Sequence, residues 1–377
     1  MKQIKIKTNL VGKEEVFKIL ALAQASKLGV LLQGAPGTGK TNLAIDFIKA
    51  QFDLTDPKEI DRFNKHGFFI LETDEQTKNS EVKGNPNLRK LVEENKFEVD
   101  SPIADAQCII INEIDKASSS LRNSFLGIMN EKVLFNGESK KRCVWQNFIG
   151  TCNKIPKDEA DSPFWDRFIL KTSVSRLSAG QITDYYRSGE KKYSKEIIIN
   201  IPDEEDIKDI QLSEKYLTQF LAVVYSKCSD RTLTFVPTLV KYTSLIYDIS
   251  IKESFIKVAE FLTDVTKAQE LANILNKDLD DVYNKIKTLS KENDPVNFYS
   301  GLQTIQNKVK SLYTTRTIGQ AEVDDIGRFL MDLEKKFQTI PEEAQKMLDV
   351  PDDFFETVSD DSVVDTTDLV LSQSRSF

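Results

Sequence analysis

The chain has 377 residues and a formal net charge of −8, with 40% hydrophobic and 29% charged residues. This composition allows a packed core and argues against wholesale disorder, while the length is sufficient for two or three domains. The four cysteines form no C-x-x-C pair and the one histidine has no ligand cluster beside it, so neither a disulfide framework nor a structural zinc site is predicted.

The N-terminus and the distribution of charge narrow the possible locations and ligands. Lysines alternate through Met1 to Lys7 without an apolar signal core, so we expect a cytoplasmic protein that begins with an edge strand. No apolar run approaches the length of a membrane span. Seven acidic residues against one arginine give residues 351–377 a net charge of −6, which leaves about −2 for the rest. A nearly neutral body does not indicate nucleic-acid binding.

The first predicted elements form a strand–loop–helix unit. A helix is predicted over residues 13–28, and the apolar run Leu28 to Leu32 that follows reads as a buried strand. Residues 42–51 return to helical periodicity. Residues 34–41, between this strand and the second helix, match the phosphate-binding pattern G-x-x-x-x-G-K-[ST]. A glycine-rich turn that binds nothing is the alternative, which the flanking strand and helix disfavour.

The physical chemistry of this loop predicts binding of ATP with Mg²⁺. Glycines let backbone N–H groups turn inward around an anion, and the helix that opens near Gly39 adds the positive end of its dipole. Lys40 is expected to bridge the β- and γ-phosphates, and the Thr41 hydroxyl to hold Mg²⁺. The predicted nucleotide-binding residues of the loop are Gly34, Ala35, Pro36, Gly37, Thr38, Gly39, Lys40 and Thr41.

Further apolar runs predict the rest of the fold. Strands are expected at residues 68–71, 107–111, 147–152 and 167–171. Strands that alternate with helices predict an α/β fold with a mainly parallel five-stranded sheet covered on both faces, and a nucleotide at the carboxyl ends of the strands. Beyond about residue 180 the strand signals fade. Helices are then predicted at residues 212–227, 237–248, 251–262 and 263–290, with two or three more in 295–349.

A second half of the site is predicted where the apolar strand Ile109 to Ile111 ends in Asn112 and Glu113. Glu113 is expected to orient the attacking water. Most P-loop ATPases place an aspartate before that glutamate, and Asn112 is a departure from the pattern. An amide oxygen can still accept a hydrogen bond from a metal-bound water, but it brings no negative charge. Weak binding of Mg²⁺ and slow hydrolysis are therefore expected, and a plain strand-end turn is the alternative.

Several shorter segments follow these motifs in a characteristic order. They are Val11–Glu15, Asn79–Gly84 (similar to S-D-V-x-G), a short insertion at residues 97–106, Glu113–Ala117 (similar to E-I-N-R-A, with Lys116 in place of Arg) and Ser124–Glu131. Together with residues 34–41, this order resembles that of a MoxR-type AAA+ ATPase over about residues 10–285. The resemblance implies that Val11 and Gly12 lie beside the adenine. It also implies that Asn153, in Gly150–Asn153, contacts the γ-phosphate side or the attacking water; a simple strand cap is the alternative.

The same resemblance implies roles for two arginines. Arg167, in a segment similar to L-D-R-F, would be the finger supplied to a neighbouring subunit's ATP, with a surface salt bridge as the alternative and Arg176 as a competing finger. Arg231, after Ser229 and Asp230, would be the second sensor that reaches the nucleotide from a lid. A serine and an aspartate beside an arginine are also common at helix N-termini, which is the plainer interpretation of Arg231.

The resemblance also implies an organisation and a function. We expect an AAA+ core at residues 1–180, an all-helical lid at 200–285, a helical extension at 286–350 and an acidic, disordered tail at 351–377 that solubilises or docks. A finger supplied in trans requires a head-to-tail ring, and the family implies six subunits. The expected activity is ATP-driven remodelling or assembly of protein complexes, with a von Willebrand factor A (vWA) domain protein and metalloenzymes or large complexes as partners.

Two other functions stay open. Asn112 favours a nucleotide-dependent switch or scaffold with little turnover. A nucleic-acid motor or loader would need a basic patch, and Lys140 to Arg142 is the one short basic cluster near the core. A solvated hairpin turn is the plainer interpretation of that cluster.

Overall fold

The computed structural model describes most of the chain, namely residues 1–10, 12–86, 89, 92–93, 99–136, 139–156, 163–188, 195–314 and 320–335. Three sequence predictions concern residues outside this part: the adenine contact of Val11, the start of the insertion at Phe97, and the acidic tail at 351–377. Within the described residues, no helix combines the length and the apolar character that a membrane span requires.

The strands are short, and the most fully buried of those described are Gly29–Gln33, Cys108–Asn112 and Asn147–Cys152. They are β1 (Lys2–Thr8), β2 (Gly29–Gln33), β3 (Phe68–Glu72), β4 (Asn85–Pro86), β5 (Val99–Asp100), β6 (Cys108–Asn112), β7 (Val133–Asn136), β8 (Ser139–Arg142), β9 (Asn147–Cys152), β10 (Leu170–Ser173) and β11 (Lys195–Ile201). Five of them form a parallel sheet in the order β10-β2-β9-β6-β3. All residues of β6 and β9 are buried, as expected for central strands of a parallel sheet with covered faces.

The sheet confirms the predicted α/β class and brings the candidate motifs to one edge. The carboxyl ends of β2, β6 and β9 are adjacent, because Leu31 pairs with Gly150 and Gly150 in turn with Ile111. The glycine-rich loop follows β2, Glu113 follows β6 and Asn153 follows β9. The residues that sequence analysis selected therefore share the edge of the sheet at which such folds bind ligands.

Two strand predictions were wrong. The fifth strand begins at Leu170 and not at Arg167, because a helical turn at Pro163–Asp166 precedes it. A strand also exists beyond residue 180, where none was predicted: β11 pairs antiparallel with β1, from Lys2 opposite Ile201 to Thr8 opposite Lys195. This pairing confirms that the N-terminus is a strand, and it places that strand in a separate two-stranded sheet.

The described α-helices alternate with the strands in the first half of the chain and make up most of the second half. They are Glu14–Ala25, Lys40–Gln51, Pro57–His66, Asn79–Lys83, Pro102–Asp105, Ser119–Ser124, Leu126–Asn130, Pro163–Asp166, Ala179–Ser188, Glu214–Val224, Asp230–Tyr247, Ile251–Leu262, Val265–Leu275, Lys277–Leu289, Pro295–Thr314 and Gln320–Glu334. The stretch predicted as one helix over residues 263–290 is interrupted at Asn276, which lies in a turn. Pro295 is the first residue of its helix, a position where the missing backbone donor of proline costs no hydrogen bond.

The chain divides into two compact units. The first contains residues 1–210, 225–248 and 260–264, and the second contains 211–224, 249–259 and 265–377. The core of the first unit combines aliphatic and aromatic side chains, and Trp145, Phe148 and Phe168 are all buried in it. Helices alone build the core of the second unit, around Phe298 and Ile326. The domain boundaries expected at residues 180, 285 and 350 stay a prediction.

Candidate nucleotide-binding site

The backbone of the glycine-rich loop adopts conformations that only glycine takes easily. Gly37 and Gly39 have φ angles of +78° and +85°, in the left-handed region that side chains disfavour. A Cβ atom on Gly34 would lie 2.4 Å from the carbonyl oxygen of Val174. Within the described residues, no backbone carbonyl accepts a hydrogen bond from the N–H groups of Ala35, Gly37 or Gly39. Unpaired donors at the start of the helix Lys40–Gln51 form a suitable cradle for an anion.

The ammonium group of Lys40 lies at the centre of the loop. Its Nζ donates to the carbonyl oxygens of Gly34 (2.6 Å) and Ala35 (3.2 Å), and to Oδ1 of Asn153 (3.1 Å). Lys40 is only 8% exposed, and all three of its acceptors are neutral oxygens. A buried cation without an anionic partner is costly. A phosphate group would supply the missing negative charge.

A chain of hydroxyl and amide groups joins the first helical turn to the neighbouring strands. Thr41 Oγ1 donates to Asn112 Oδ1 at 2.9 Å, and Thr151 Oγ1 donates to the same oxygen at 3.3 Å. The Thr151 hydroxyl in turn accepts from the backbone N–H of Glu113 at 3.2 Å. Asn112 is 4% exposed, and its side-chain oxygen is thus fixed at the end of β6. Sequence analysis did not select Thr151, although it directly precedes the Cys152-Asn153 end of the motif.

Glu113 occupies a conformation that is uncommon for its residue type. Its φ angle is +54°, and Thr73 Oγ1 binds the carbonyl oxygens of both Asn112 and Glu113 at 2.9 Å. The carboxylate forms an ion pair with Lys116 on the following 3₁₀ turn. Because of this hydrogen bond and its charge, Glu113 raises the pKa of Lys116. A strained residue that the surrounding bonds hold in place is typical of a functional position.

Asp115 is a polar residue of the site that sequence analysis did not select. Its Oδ2 accepts a hydrogen bond from the backbone N–H of Asn153 at 3.2 Å, and Asn153 is the side chain that binds Lys40. Its Oδ1 is buried and has no hydrogen-bond partner within the described residues. Comparison with the motif E-I-N-R-A gives a signal, because Asp115 stands where that motif has asparagine.

The region predicted to lie beside the adenine is packed against other parts of the first unit. Gly12 has a φ angle of +65°, and a Cβ atom there would lie 2.1 Å from the side-chain nitrogen of Gln181. The neighbouring Lys13 is buried and donates to the carbonyl oxygen of Ser175, and burial lowers its pKa. Gly12 thus stands at a tight junction, and its contact with an adenine stays a prediction.

The structure brings Arg167 and Arg231 together. Arg231 donates to Asn130 Oδ1 at 2.6 Å, and Ser229, which caps its helix, donates to Asp166 at 3.1 Å. Burial, and then the charge of Arg231, lower the pKa of Arg167. The Nε of Arg167 is buried without a hydrogen-bond partner within the described residues. Arg231 makes no hydrogen bond to the glycine-rich loop there either, so its predicted role at the nucleotide stays a prediction.

The basic cluster Lys140 to Arg142 lies on β8 of an antiparallel hairpin with β7. Lys141 forms an ion pair with Asp105 at 2.7 Å, and the ammonium of Lys140 lies 5.4 Å from the centre of the Phe135 ring. The cluster therefore belongs to a hairpin, and part of its charge is already compensated.

Two of the matching solved structures have TM-scores below 0.5. A candidate ATPase of Cytophaga hutchinsonii matches with a TM-score of 0.48 and 16% identity, over 68% of this chain and 82% of that one. A full-length MCM homologue of Methanopyrus kandleri matches with a TM-score of 0.39 and 15% identity, over 70% and 57% of the two chains.

The curated relatives are distant and partial. An uncharacterized protein of Methanocaldococcus jannaschii is 25% identical over 137 residues, which are 36% of each chain. A structural protein of Acidianus two-tailed virus is 27% identical over 165 residues, which are 43% of this chain and 25% of the viral one. The chain therefore spans only about a quarter to a third of the lengths of the curated relatives that it matches.

A match to a protein-family model covers the glycine-rich loop, Glu113, Asn153 and Arg167. Its description is the MoxR domain in the MoxR–vWA–β-propeller ternary systems, and it matches residues 2–212. More than half of the chain, including the whole five-stranded sheet, lies within this match. The chain therefore belongs to the bpMoxR family and is a MoxR-type AAA+ ATPase.

Proposed function

We propose that the chain binds ATP with Mg²⁺ and hydrolyses it at a site completed by an adjacent copy in a six-membered ring. One observation carries the proposal: Lys40, Asn153 and the pair Thr41–Asn112 meet at the carboxyl edge of the sheet through direct hydrogen bonds. Lys40 and the loop N–H groups bind the phosphates, and Glu113 orients water. The cycle of binding and release then drives remodelling or assembly of protein complexes.

The side chains of Thr41 and Asn112 suit a Mg²⁺ ion that takes most of its ligands from the nucleotide and from water. Thr41 Oγ1 and Asn112 Oδ1 are oxygen donors 2.9 Å apart, and oxygen is the ligand that Mg²⁺ prefers. Mg²⁺ commonly keeps several waters and binds through few protein groups together with the phosphates. When bound, the metal neutralises charge on the phosphate oxygens. Thr41 and Asn112 would hold it or its waters.

The arginine pair supports a site shared between copies. Arg167 and Arg231 raise the positive charge of one surface region, and the Nε of Arg167 lacks a partner within the described residues. A phosphate group of a neighbouring nucleotide would be a second anionic partner for this region, in addition to Asp166. We place Arg231 at the same neighbouring phosphate as Arg167, in preference to the lid role that the resemblance implies, because it lies beside Arg167. Such a contact requires head-to-tail assembly.

The partners proposed for the ring follow from its family. The bpMoxR family is described as the MoxR domain of ternary systems with vWA and β-propeller proteins. We therefore propose a vWA-domain protein as the adaptor and a protein complex as the client.

Glu113→Gln tests both hydrolysis and partners. We expect ATP affinity to stay within about twofold, and turnover to fall about 10²–10⁴-fold because the general base is lost. Affinity is measured with a fluorescent ATP analogue and turnover by phosphate release. The control is Glu59→Gln, which alters an exposed glutamate on the helix Pro57–His66. Pull-down of the Glu113→Gln variant from its native source should retain a vWA partner in ATP; turnover at the unaltered rate would contradict the assignment.

A second function, a nucleotide-dependent switch with little turnover, is favoured by the neutral side chain of Asn112. For this candidate, Asn112→Asp is expected to raise the rate of hydrolysis at least tenfold, because a carboxylate strengthens binding of the metal. Phosphate release by the variant is compared with that of the unaltered chain at a Mg²⁺ concentration that saturates neither protein. Rapid turnover by the unaltered chain would exclude the switch.

A further inference from the structure

The carboxylate that Asn112 lacks has a counterpart three residues further along the chain. Asn112 stands where most P-loop ATPases have aspartate, and Asp115 stands where the E-I-N-R-A motif has asparagine. The chain has thus exchanged an acid and an amide across the turn that carries Glu113. Such a reciprocal exchange conserves the charge of the site while it moves the position of that charge.

Asp115 is connected to the phosphate-binding lysine by two hydrogen bonds. Its Oδ2 accepts from the backbone N–H of Asn153 at 3.2 Å, and Asn153 Oδ1 accepts from Lys40 Nζ at 3.1 Å. Hydrogen bonds to a charged acceptor are roughly twice as strong as neutral ones. Asp115 therefore fixes the backbone from which the Asn153 side chain reaches Lys40.

Within the described residues, the carboxylate of Asp115 forms no ion pair, unlike that of Glu113. Lys40 binds neutral oxygens only, and the Glu113 carboxylate is paired with Lys116. Asp115 contributes to the raised pKa of Lys116, but less than Glu113 does. Its Oδ1 is buried and accepts no hydrogen bond within the described residues. That oxygen can accept a bond from a water or another donor that arrives with a ligand.

Asp115 also contributes to the wall of a cleft beside Glu113. The cleft has a volume of about 460 Å³ and is lined by Asp74, Glu75, Gln76, Asp115 and Lys116. The side of the site that Glu113 faces is therefore rich in carboxylates. Negative charge at this place favours a nucleotide that carries its metal over one that does not, because the metal offsets repulsion between carboxylates and phosphates.

We propose that Asp115 is a positioning residue that replaces the acid missing at Asn112: it holds Asn153 against Lys40 and makes the site selective for the metal-bound nucleotide. This inference rests on the proposed function of the site as an ATP site. Asp115 acts through Asn153 and through its charge. The chemical class that it selects is a nucleoside triphosphate complexed with a divalent cation.

The test compares the unaltered chain with D115N, N112D and the double variant N112D/D115N. The dissociation constant of a fluorescent ATP analogue is measured with Mg²⁺ and with EDTA, and the ratio of the two constants gives the metal preference. We expect D115N to reduce this preference about tenfold, and the double variant to restore it, because the carboxylate returns to the position usual in P-loop ATPases. Asp209→Asn, which removes an exposed aspartate outside this cleft, should leave the preference unchanged.

The outcomes separate this inference from the proposed function. If D115N weakens binding equally with Mg²⁺ and with EDTA, or lowers only the melting temperature, Asp115 is merely structural and the inference is wrong. If N112D fails to restore the metal preference in the double variant, the inference that Asp115 replaces a carboxylate at position 112 is wrong. If the unaltered chain binds no ATP under either condition, the proposed function itself fails, and the inference falls with it.

Discussion

Lys40→Ala is expected to weaken binding of ATP at least 100-fold and to abolish measurable turnover. The ammonium is buried within the glycine-rich loop and binds only neutral oxygens, so its charge is available to the phosphates. A hydrogen bond that involves a charged group contributes about 1.5–3 kcal/mol. Loss of the two contacts expected between Lys40 and the β- and γ-phosphates therefore accounts for the expected loss of affinity of about 100-fold. Binding is measured with a fluorescent ATP analogue, and turnover by phosphate release.

Two further variants make the result specific. Lys49→Ala removes a lysine from the other end of the same helix and should leave affinity and turnover unchanged. Lys40→Met keeps much of the length of the side chain without its charge, and it should behave like Lys40→Ala. If Lys40→Met binds ATP like the unaltered chain, the ammonium is not a phosphate ligand. A melting curve for each variant shows whether loss of the bonds to Gly34, Ala35 and Asn153 also weakens the fold.

The sheet and the loop could be predicted from sequence because their signals are local. Ile109 to Ile111 form a continuous apolar run, as in buried parallel strands, and the glycine-rich pattern specifies its own conformation. The strand Lys195–Ile201 was missed for the opposite reason. Its partner is the N-terminal strand Lys2–Thr8, almost the whole first unit away in sequence, and propensity alone does not reveal so distant a pairing.

The site residues that were missed depend on contacts between strands. Asp115 becomes informative only when β6 and β9 are adjacent, because its hydrogen-bond partner is the backbone of Asn153. Thr151 is similar, since its hydroxyl bridges Asn112 and Glu113 across the same pair of strands. A single sequence gives the residue types at these positions, but it does not give the register that brings them together.

The neighbourhood of Arg231 is a third example. The sequence places Arg231 near a helix N-terminus, and the structure confirms that Ser229 caps that helix. Arg231 is close enough to Arg167, more than sixty residues earlier, for its charge to lower the pKa of Arg167, and no motif encodes this proximity. The proximity bears on two models of the ring. An arginine near the finger can bind the neighbouring subunit's nucleotide, whereas a lid arginine binds the nucleotide of its own subunit.

Arg167→Ala is expected to lower turnover at least 10³-fold while binding of ATP stays within about threefold, since a finger acts chiefly on the transition state. The Nε of Arg167 is buried without a hydrogen-bond partner within the described residues, and burial lowers the pKa of its guanidinium. A phosphate group bound there would accept a hydrogen bond from this nitrogen and would stabilise the charged form of the guanidinium. Turnover and affinity are measured separately. Arg62→Ala, on an exposed helix, is the control. Loss of turnover in Arg176→Ala instead would move the finger to that residue.

Mixed rings decide in which copy each arginine acts. Glu113→Gln subunits retain ATP and both arginines, and Arg167→Ala subunits retain the glutamate. In a random equal mixture, roughly a quarter of the interfaces combine an intact glutamate with an intact finger from its neighbour, so about a quarter of full turnover should return. The same mixture with Arg231→Ala recovers turnover only if Arg231 also acts on the neighbouring nucleotide. If turnover recovers in the mixture with Arg167→Ala but not in the mixture with Arg231→Ala, Arg231 acts on the nucleotide of its own subunit, as the lid role implies. If neither mixture recovers turnover, the shared site is excluded.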